Sequence, residues 1–197
     1  MGTVTAYKRD GVATRARIER EALRLFALKG FDGTSIRDIS QAVGVADPAL
    51  YRYFASKDEL GRALFLKHYG ALARSITRIG AEPGGIGTKI EALVGLFCRL
   101  FDDTPEVFAF ILLSQHSHLR FVPDASTDNV VECLCRLVEA AVTRGEIAPG
   151  NPNLAAAMAL GAVVQPAIFA LYGRLQRPLS QHAGAIAEAA RRVVGAG

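Results

Sequence analysis

The chain has 197 residues, half of them hydrophobic, and a formal net charge of +4. That is enough material for one small domain and one larger core, and the modest positive charge suits a polyanionic partner without identifying one. The N-terminus has no apolar leader, and three cysteines in apolar helical contexts (Cys98, Cys133 and Cys135) favour buried reduced thiols, so we expect a cytoplasmic protein.

The first predicted helix has one apolar face, which packs it against the next helices of the chain. Its stripe is Ile18, Ala22, Leu25 and Phe26, and Lys29-Gly30-Phe31 gives a cation, a glycine and an apolar residue at its end. The basic residues before the stripe are either a solvated tail or contacts to flanking phosphates, and the sequence leaves both open. These residues are Lys8, Arg9, Arg15 and Arg17.

A second helix begins at Thr34 or Ser35. Asp38 stands three residues after Ser35, where a carboxylate can bond back to the N–H groups of the first turn. Gly44 then provides the positive φ that a tight turn between helices needs. The stripe that this helix buries is Ile36, Ile39 and Val43.

A third, short helix comes after the turn. Asp47 is the predicted N-cap and Pro48 the first helical residue, which puts the helix at Pro48 to about Phe54. Leu50 and Phe54 pack inward, and the residues left to project outward are Ala49, Tyr51, Arg52 and Tyr53. Ser56 and Glu59 form a capping box that opens a fourth helix, with Lys57 in its first turn. A helix-turn-helix of this kind presents its second helix to the major groove of DNA.

The pattern resembles the DNA-binding domain of the TetR (tetracycline-repressor) family of transcription regulators. The resemblance covers about the first third of the chain and depends on Phe31, Gly33-Thr34, Ile39, Ala42–Val45, Leu50-Tyr51, Tyr53-Phe54 and Ser56–Leu60. Where the family commonly has Ser or Thr, this chain has Ala46.

The resemblance implies which residues meet DNA. Tyr51, Tyr53 and Lys57 match positions that touch the backbone, and Arg37, Pro48, Ala49 and Arg52 match positions near base edges. Thr34, Ser35 and Asp47 complete the predicted DNA-binding set.

The rest of the sequence reads as helices without a β pattern. The predicted ranges are 57–79, 88–101, 105–115, 126–144, 153–175 with a kink near Pro166, and 180–194. This is an all-α fold of about nine helices, divided into a DNA-binding domain (1–56) and an effector-binding and dimerisation domain (57–197). The run Leu154–Tyr172 is apolar for long enough to cross a membrane, but it is rich in Ala and Gly, which favours a helix buried against its own domain and a partner subunit.

The resemblance implies that the last two helices pair across a two-fold axis and that an effector moves helix four. The apolar interior of helices five to eight indicates a largely apolar effector, oriented by a few polar groups. The predicted ligand-binding residues are Phe97, Phe101, Phe108, Gln115, His116, His118, Leu134, Leu137, Met158, Gln165 and Phe169.

Catalytic and metal sites are not indicated. The segment Glu82–Lys89 has the wrong order for a phosphate loop, and no strand precedes it. His116 and His118, like Cys133 and Cys135, are two apart, which on a helix points them to opposite sides, so we expect no metal and no cofactor.

The sequence therefore predicts a homodimeric, ligand-responsive repressor that binds a palindromic operator in double-stranded DNA, with no membrane partner and no enzyme activity. Two alternatives stay open: an architectural DNA-binding protein without an effector, and an enzyme built on a helical bundle.

Overall fold

The computed structural model describes residues 3–123 and 128–196, except for the side chains of residues 3–10, 116 and 117. All regular structure within these ranges is helical, which confirms the all-α prediction. The helices are α1 (Thr3–Lys29), α2 (Ile36–Val43), α3 (Asp47–Tyr51), α4 (Lys57–Ala81), α5 (Ile86–Asp103), α6 (Pro105–His118), α7 (Val130–Thr143), α8 (Pro152–Leu171) and α9 (Ala183–Val194). Short 3₁₀ helices cover Leu119–Phe121 and Leu179–His182.

The chain forms two compact units. The N-terminal unit comprises Met1–His68 and Glu106–Phe121, and the C-terminal unit comprises Tyr69–Pro105 and Val122–Gly197. The predicted division at residue 56 does not coincide with the boundary between the two compact units. α4 contributes to both units, and α6 belongs almost wholly to the first. That functional division stays a prediction.

The core of the N-terminal unit forms around α1. The predicted stripe of α1 is buried, and the ring of Phe26 lies 5.0 Å from the ring of Phe31 and 5.6 Å from that of Phe110. Phe110 comes from α6, so a helix distant in sequence completes the core beneath the first three helices.

The C-terminal unit packs α5, α7, α8 and α9 together, with α9 against both α5 and α8. Polar side chains form hydrogen bonds to the backbone at its helix ends. The buried Lys89 donates to the carbonyl of Gly80 at 2.6 Å, and Glu146 accepts the N–H of Ile86, the first residue of α5. Glu82–Lys89 is thus an interhelical connection and the start of a helix. Cys98, Cys133 and Cys135 are buried thiols outside any disulfide, as predicted.

Several predicted helix boundaries were wrong. The third helix ends at Tyr51 instead of Phe54, and α6 continues three residues beyond Gln115 to His118. α8 runs through Pro166 and ends at Leu171 instead of Leu175, because Gly173 adopts a left-handed φ of 68° just after it. The predicted last helix is split into a 3₁₀ turn and α9.

The boundaries of α4, α5 and α7 also differ from the prediction. α4 extends to Ala81, α5 begins at Ile86, and α7 begins at Val130, where the side chain of Asn129 accepts the N–H groups of Val131 and Glu132. Ser126, the predicted first residue of α7, lies outside the described residues. Asparagine is a strong N-cap, so the signal for the true start was present in the sequence.

Candidate DNA-binding surface and apolar cavity

The first turn of α2 is closed by a reciprocal capping box. The hydroxyl of Ser35 accepts the N–H of Asp38 at 3.1 Å, and the carboxylate of Asp38 accepts the N–H of Ser35 at 2.8 Å. Hydrogen bonds from the hydroxyl and the N–H of Ser35, together with Lys29 at 3.0 Å, hold the pKa of Asp38 well below its usual range. The predicted N-terminus of α2 is confirmed.

The turn after α2 is the tight one that Gly44 predicts. Gly44 has a φ of 75°, a left-handed conformation that favours glycine, and the N–H of Val45 donates to the carbonyl of Ser40 at 3.0 Å. The guanidinium of Arg17 donates to the carbonyl of Val43, so α1 holds the end of α2.

Arg15 is also part of the packing. It pairs with Glu19 at 3.1 Å, and its guanidinium lies 4.7 Å from the centre of the Phe54 ring. Both arginines therefore belong to helix α1 and contact the motif, which corrects the solvated-tail alternative, while a contact to flanking phosphates stays a prediction. The side chains of Lys8 and Arg9 lie outside the described residues.

The N-cap of α3 is Ala46, which corrects the prediction of Asp47. Ala46 makes no side-chain cap, and its extended backbone leads into Asp47 and Pro48 in the first turn. The carboxylate of Asp47 instead accepts the hydroxyl of Ser40, a buried residue of α2. Asp47 therefore ties α3 to α2, and a carboxylate in this place also suits the positive end of the helix.

The outward face of α3 carries aromatic and basic groups. Leu50 and Phe54 are buried as predicted, whereas Tyr51 is 51% exposed. Pro48 and Arg52 are also exposed, and Ala49 and Tyr53 are half-buried. On α2, which packs against α3, Arg37 is exposed, as is its N-cap Ser35.

Thr34 differs from the other predicted contacts. It is only 1% exposed, and its hydroxyl lies 2.9 Å from the carbonyl of Gly30 and 3.2 Å from that of Leu25. The side chain satisfies the C-terminal carbonyls of α1 and is enclosed, so we remove it from the proposed DNA contacts.

The first residues of α4 are capped and form a hydrogen bond to the loop after α1. The hydroxyl of Ser56 accepts the N–H of Glu59 at 3.0 Å, and the carboxylate of Glu59 accepts the N–H of Ala55 at 2.6 Å. Lys57 donates to the carbonyl of Phe31 at 2.9 Å, and its ammonium lies 4.6 Å from the centre of that ring. An ammonium has three donors, so two are left for a phosphate.

A second feature is an apolar cavity in the C-terminal unit. Its volume is about 40 Å³, and residues of α5, α7, α8 and α9 line it. They are Ile90, Leu93, Val94, Phe97, Leu134, Ala159, Leu160, Val163 and Ala190.

The structure does not bring the predicted ligand residues into one place. Phe97 and Leu134 line the apolar cavity. Phe101 and Leu137 are buried elsewhere in the C-terminal unit. Three predicted residues are exposed on α8: Met158, Gln165 and Phe169. Three others belong to the N-terminal unit: Phe108, Gln115 and His118. The side chain of His116 lies outside the described residues.

The cavity residues that the prediction missed had a signal in the sequence. Ile90, Leu93, Val94 and Phe97 recur at i, i+3, i+4 and i+7 along α5, which marks them as one buried face. The predicted set includes Phe97 of this face but omits its three aliphatic members, Ile90, Leu93 and Val94.

A short helix held in a tight, capped turn, with aromatic and basic side chains on its free face, defines a helix-turn-helix protein of the DNA-binding class. Residues 18–64 match the family model described as bacterial regulatory proteins, tetR family. That match covers about the first third of the chain, up to residue 64, and this segment resembles the DNA-binding domain of tetR-family regulators.

A curated relative that matches part of the chain is also a transcription regulator. The HTH-type transcriptional repressor KstR2 of Mycobacterium tuberculosis is 33% identical over 97 residues, which is 48% of this chain and 46% of the relative. The match thus spans about half the length of each protein.

Solved structures resemble the chain over nearly its full length. A TetR family transcription regulator from Marinobacter aquaeolei has a TM-score of 0.78 at 18% identity, covering 94% of this chain and 97% of that one. The transcriptional regulator FadR from Bacillus subtilis, in complex with stearoyl-CoA, has a TM-score of 0.70 at 17% identity, covering 89% and 96%. At these identities the likeness shows the fold.

Proposed function

We propose that this protein is a homodimeric transcription repressor that binds a palindromic DNA operator and releases it when a largely apolar effector binds. The observation that carries the proposal is the exposure of Tyr51 at the end of α3, of Arg52 just after it and of Arg37 on α2, which packs against α3. Groove-facing side chains read the sequence, and backbone contacts set the register. We assign readout to Arg37, Pro48, Ala49 and Arg52.

Backbone contacts are assigned to Tyr51, Tyr53 and Lys57. Lys57 has a further consequence here, because the same ammonium also bonds to Phe31 in the loop after α1. A DNA phosphate bound by Lys57 would thus contact the same ammonium group that links α4 to the loop after α1. Ser35 lies beside this surface as an exposed hydroxyl, and Asp47 acts by positioning α3.

The exposed apolar surface of α8 supports the proposed dimer. This is the one helix in the described ranges that is long and apolar enough to cross a membrane by length and composition, with a mean hydropathy of 2.0 and only 22% of its window buried within the chain. Its exposed apolar side chains include Leu154, Met158, Phe169 and Leu171, and α9 adds Val193. Leu154, Met158 and Phe169 fall on one stripe of the helix, and exposed apolar surface of this kind marks an interaction surface that a two-fold dimer through α8 and α9 would cover.

The effector is proposed to enter the apolar cavity of the C-terminal unit. An apolar cavity of about 150 Å³ can hold benzene, whereas this one measures about 40 Å³. An effector must therefore separate α5, α7, α8 and α9 as it binds, which couples occupancy to helix movement. The stearoyl-CoA complex of the Bacillus subtilis neighbour makes acyl thioesters the first class to test.

The decisive experiment is a mobility shift and footprint on the DNA upstream of the gene, repeated with long-chain acyl thioesters. We expect a footprint with two-fold symmetry and effector coupling of about 1–3 kcal/mol, with operator weakening effector binding by the same factor. An unsymmetrical footprint would contradict the dimer. Operator binding that no apolar compound weakens would favour the architectural alternative, and turnover of a substrate without DNA binding would favour the enzyme.

A further inference from the structure

A second cavity lies in the N-terminal unit and plays no part in the proposed repressor function. Its volume is about 420 Å³, within the range of small-molecule sites, and both polar and apolar groups line it. The loop after α1, the start of α4 and the end of α6 form its walls.

The floor of this cavity is the imidazole of His118. The residue is only 4% exposed, and its ring stacks on Phe65 at 5.3 Å and meets the edge of Phe31 at 5.7 Å. Its Nδ1 lies 3.0 Å from the carbonyl of Ser114, which can only accept, so Nδ1 carries the hydrogen.

In the neutral ring, Nε2 of His118 is therefore an acceptor. No donor in the described part of the chain reaches this atom, although the fully enclosed side-chain nitrogen and oxygen atoms there are all satisfied. Nε2 thus keeps access to the cavity and lacks a partner within the described residues. A ring nitrogen without a protein donor, in a residue that lines a polar cavity, can accept from water or from a ligand bound there.

The walls carry opposite charges that do not pair with each other. The guanidiniums of Arg62 and Arg120 lie 5.4 and 4.8 Å from the centre of the Phe121 ring. Neither forms an ion pair with any carboxylate of the described residues, and the same holds for Asp32 and Asp58 on the same cavity. Glu59 also lines it, but its carboxylate already holds the N–H of Ala55.

We propose that this cavity binds a small zwitterion of the amino acid class. The ammonium group would donate to Nε2 of His118 and neutralise Asp32 or Asp58, and the carboxylate would accept from Arg62 and Arg120. A ligand of one sign alone would satisfy only half of these groups and would face repulsion from the rest. A metal ion is disfavoured, because the described residues contain no cluster of three metal-binding side chains.

The test is calorimetric titration of the full-length protein, without DNA, by each of the twenty common amino acids and by β-alanine and γ-aminobutyrate. We expect at least one to bind, and its methyl ester and its N-acetyl derivative to bind about tenfold more weakly or worse, since each lacks one charge. The proposal is overturned if no member of the panel binds at concentrations up to about 10 mM. It is equally overturned if the ester and the N-acetyl form bind as well as the parent.

Matched variants locate the site. Arg62→Met and Asp58→Asn should each weaken binding about tenfold, whereas Arg78→Met and Asp103→Asn, at exposed positions outside the N-terminal unit, should leave it unchanged. His118→Phe keeps an aromatic ring in the stack and removes Nε2, so it should also lose affinity. Unchanged binding in both Arg62→Met and Asp58→Asn would place the ligand elsewhere and overturn the assignment. Because no DNA is present, failure of this proposal leaves the proposed repressor function unaffected.

Discussion

Both compact units use polar side chains to hold helix ends, but they differ in how much apolar surface a helix leaves exposed. In the N-terminal unit, polar side chains hold specific backbone groups: Ser35 and Asp38 cap α2, Thr34 closes the end of α1, and Lys57 bonds to the loop at Phe31. In the C-terminal unit, α8 is nearly free of polar groups and leaves much of its apolar surface exposed. Directional bonds fix the geometry of the surface that we propose to bind DNA, whereas the surface that we propose to bind a second subunit can depend on buried apolar area.

The largest expected effect is on the apolar surface of α8. Phe169→Glu places a charge on a side chain that is 50% exposed, and burying that charge in a dimer would be costly. We expect a monomer by light scattering and a loss of operator affinity of about 100-fold or more, because two linked half-sites bind far more tightly than one.

The matched control for that variant is Leu113→Glu, which adds the same charge to an exposed leucine (65%) of the N-terminal unit. It should stay dimeric. If both variants are dimers, α8 does not form the interface.

The next effect concerns readout by the N-terminal unit. Arg37→Ala should cost about 1–3 kcal/mol on the cognate operator and much less on unrelated DNA. Lys57→Ala should weaken binding to all sequences and lower the salt slope by roughly one unit. Competition titrations at several salt concentrations measure both, and an unchanged ratio of specific to nonspecific affinity in Arg37→Ala would show that Arg37 does not read bases.

A smaller effect is expected in the packing of α4 on Phe31. A Cβ at Gly61 would lie 2.5 Å from Cε2 of Phe31, so Gly61→Ala must displace the ring and should cost about 1–3 kcal/mol of stability. Gly11→Ala, in α1 with nothing within 4 Å, should instead stabilise by about 0.5–1 kcal/mol. Urea unfolding of the two variants measures the contrast, and equal midpoints would contradict the close contact at Gly61.

The smallest effect tests a polar link within the C-terminal unit. The carboxylate of Asp102 accepts the N–H groups of Leu179 and Ser180 at 2.6 and 2.9 Å. Burial alone would raise the pKa of Asp102, but these hydrogen bonds outweigh it, and the pKa is lowered. A carboxyl with a lowered pKa in the folded state contributes stability above its unfolded pKa of about 3.9, and loses that contribution as the pH falls through the folded value.

Asp102→Asn should therefore cost about 1 kcal/mol at neutral pH and progressively less toward about pH 3. Asp103→Asn changes the neighbouring exposed carboxylate and should shift stability by less than about 0.5 kcal/mol at either pH. Chemical unfolding at both pH values measures this difference. A cost that is independent of pH would contradict the role of the charge.

Local signals predicted the N-terminal motif well because its structure is made by near neighbours. The reciprocal cap of Ser35 and Asp38, the left-handed Gly44 and the buried Leu50 and Phe54 all involve residues within a few positions of each other. The predicted N-cap of α3 was wrong because it depended on a contact beyond near neighbours. Asp47 bonds to Ser40, seven residues away and across a turn, which is a tertiary contact.

The sequence by itself determined the all-α class, the helix-turn-helix and its exposed residues, because helix caps and apolar periodicity act over one or two turns. Only the tertiary structure decided that α6 completes the N-terminal unit, that Thr34 is enclosed, and that His118 lines a polar cavity there instead of the apolar cavity of the other unit. These outcomes depend on contacts between residues up to about ninety positions apart, such as that between Phe31 and His118. Hydrophobic burial is non-directional, so a sequence pattern shows that a helix face is buried but not which partner covers it.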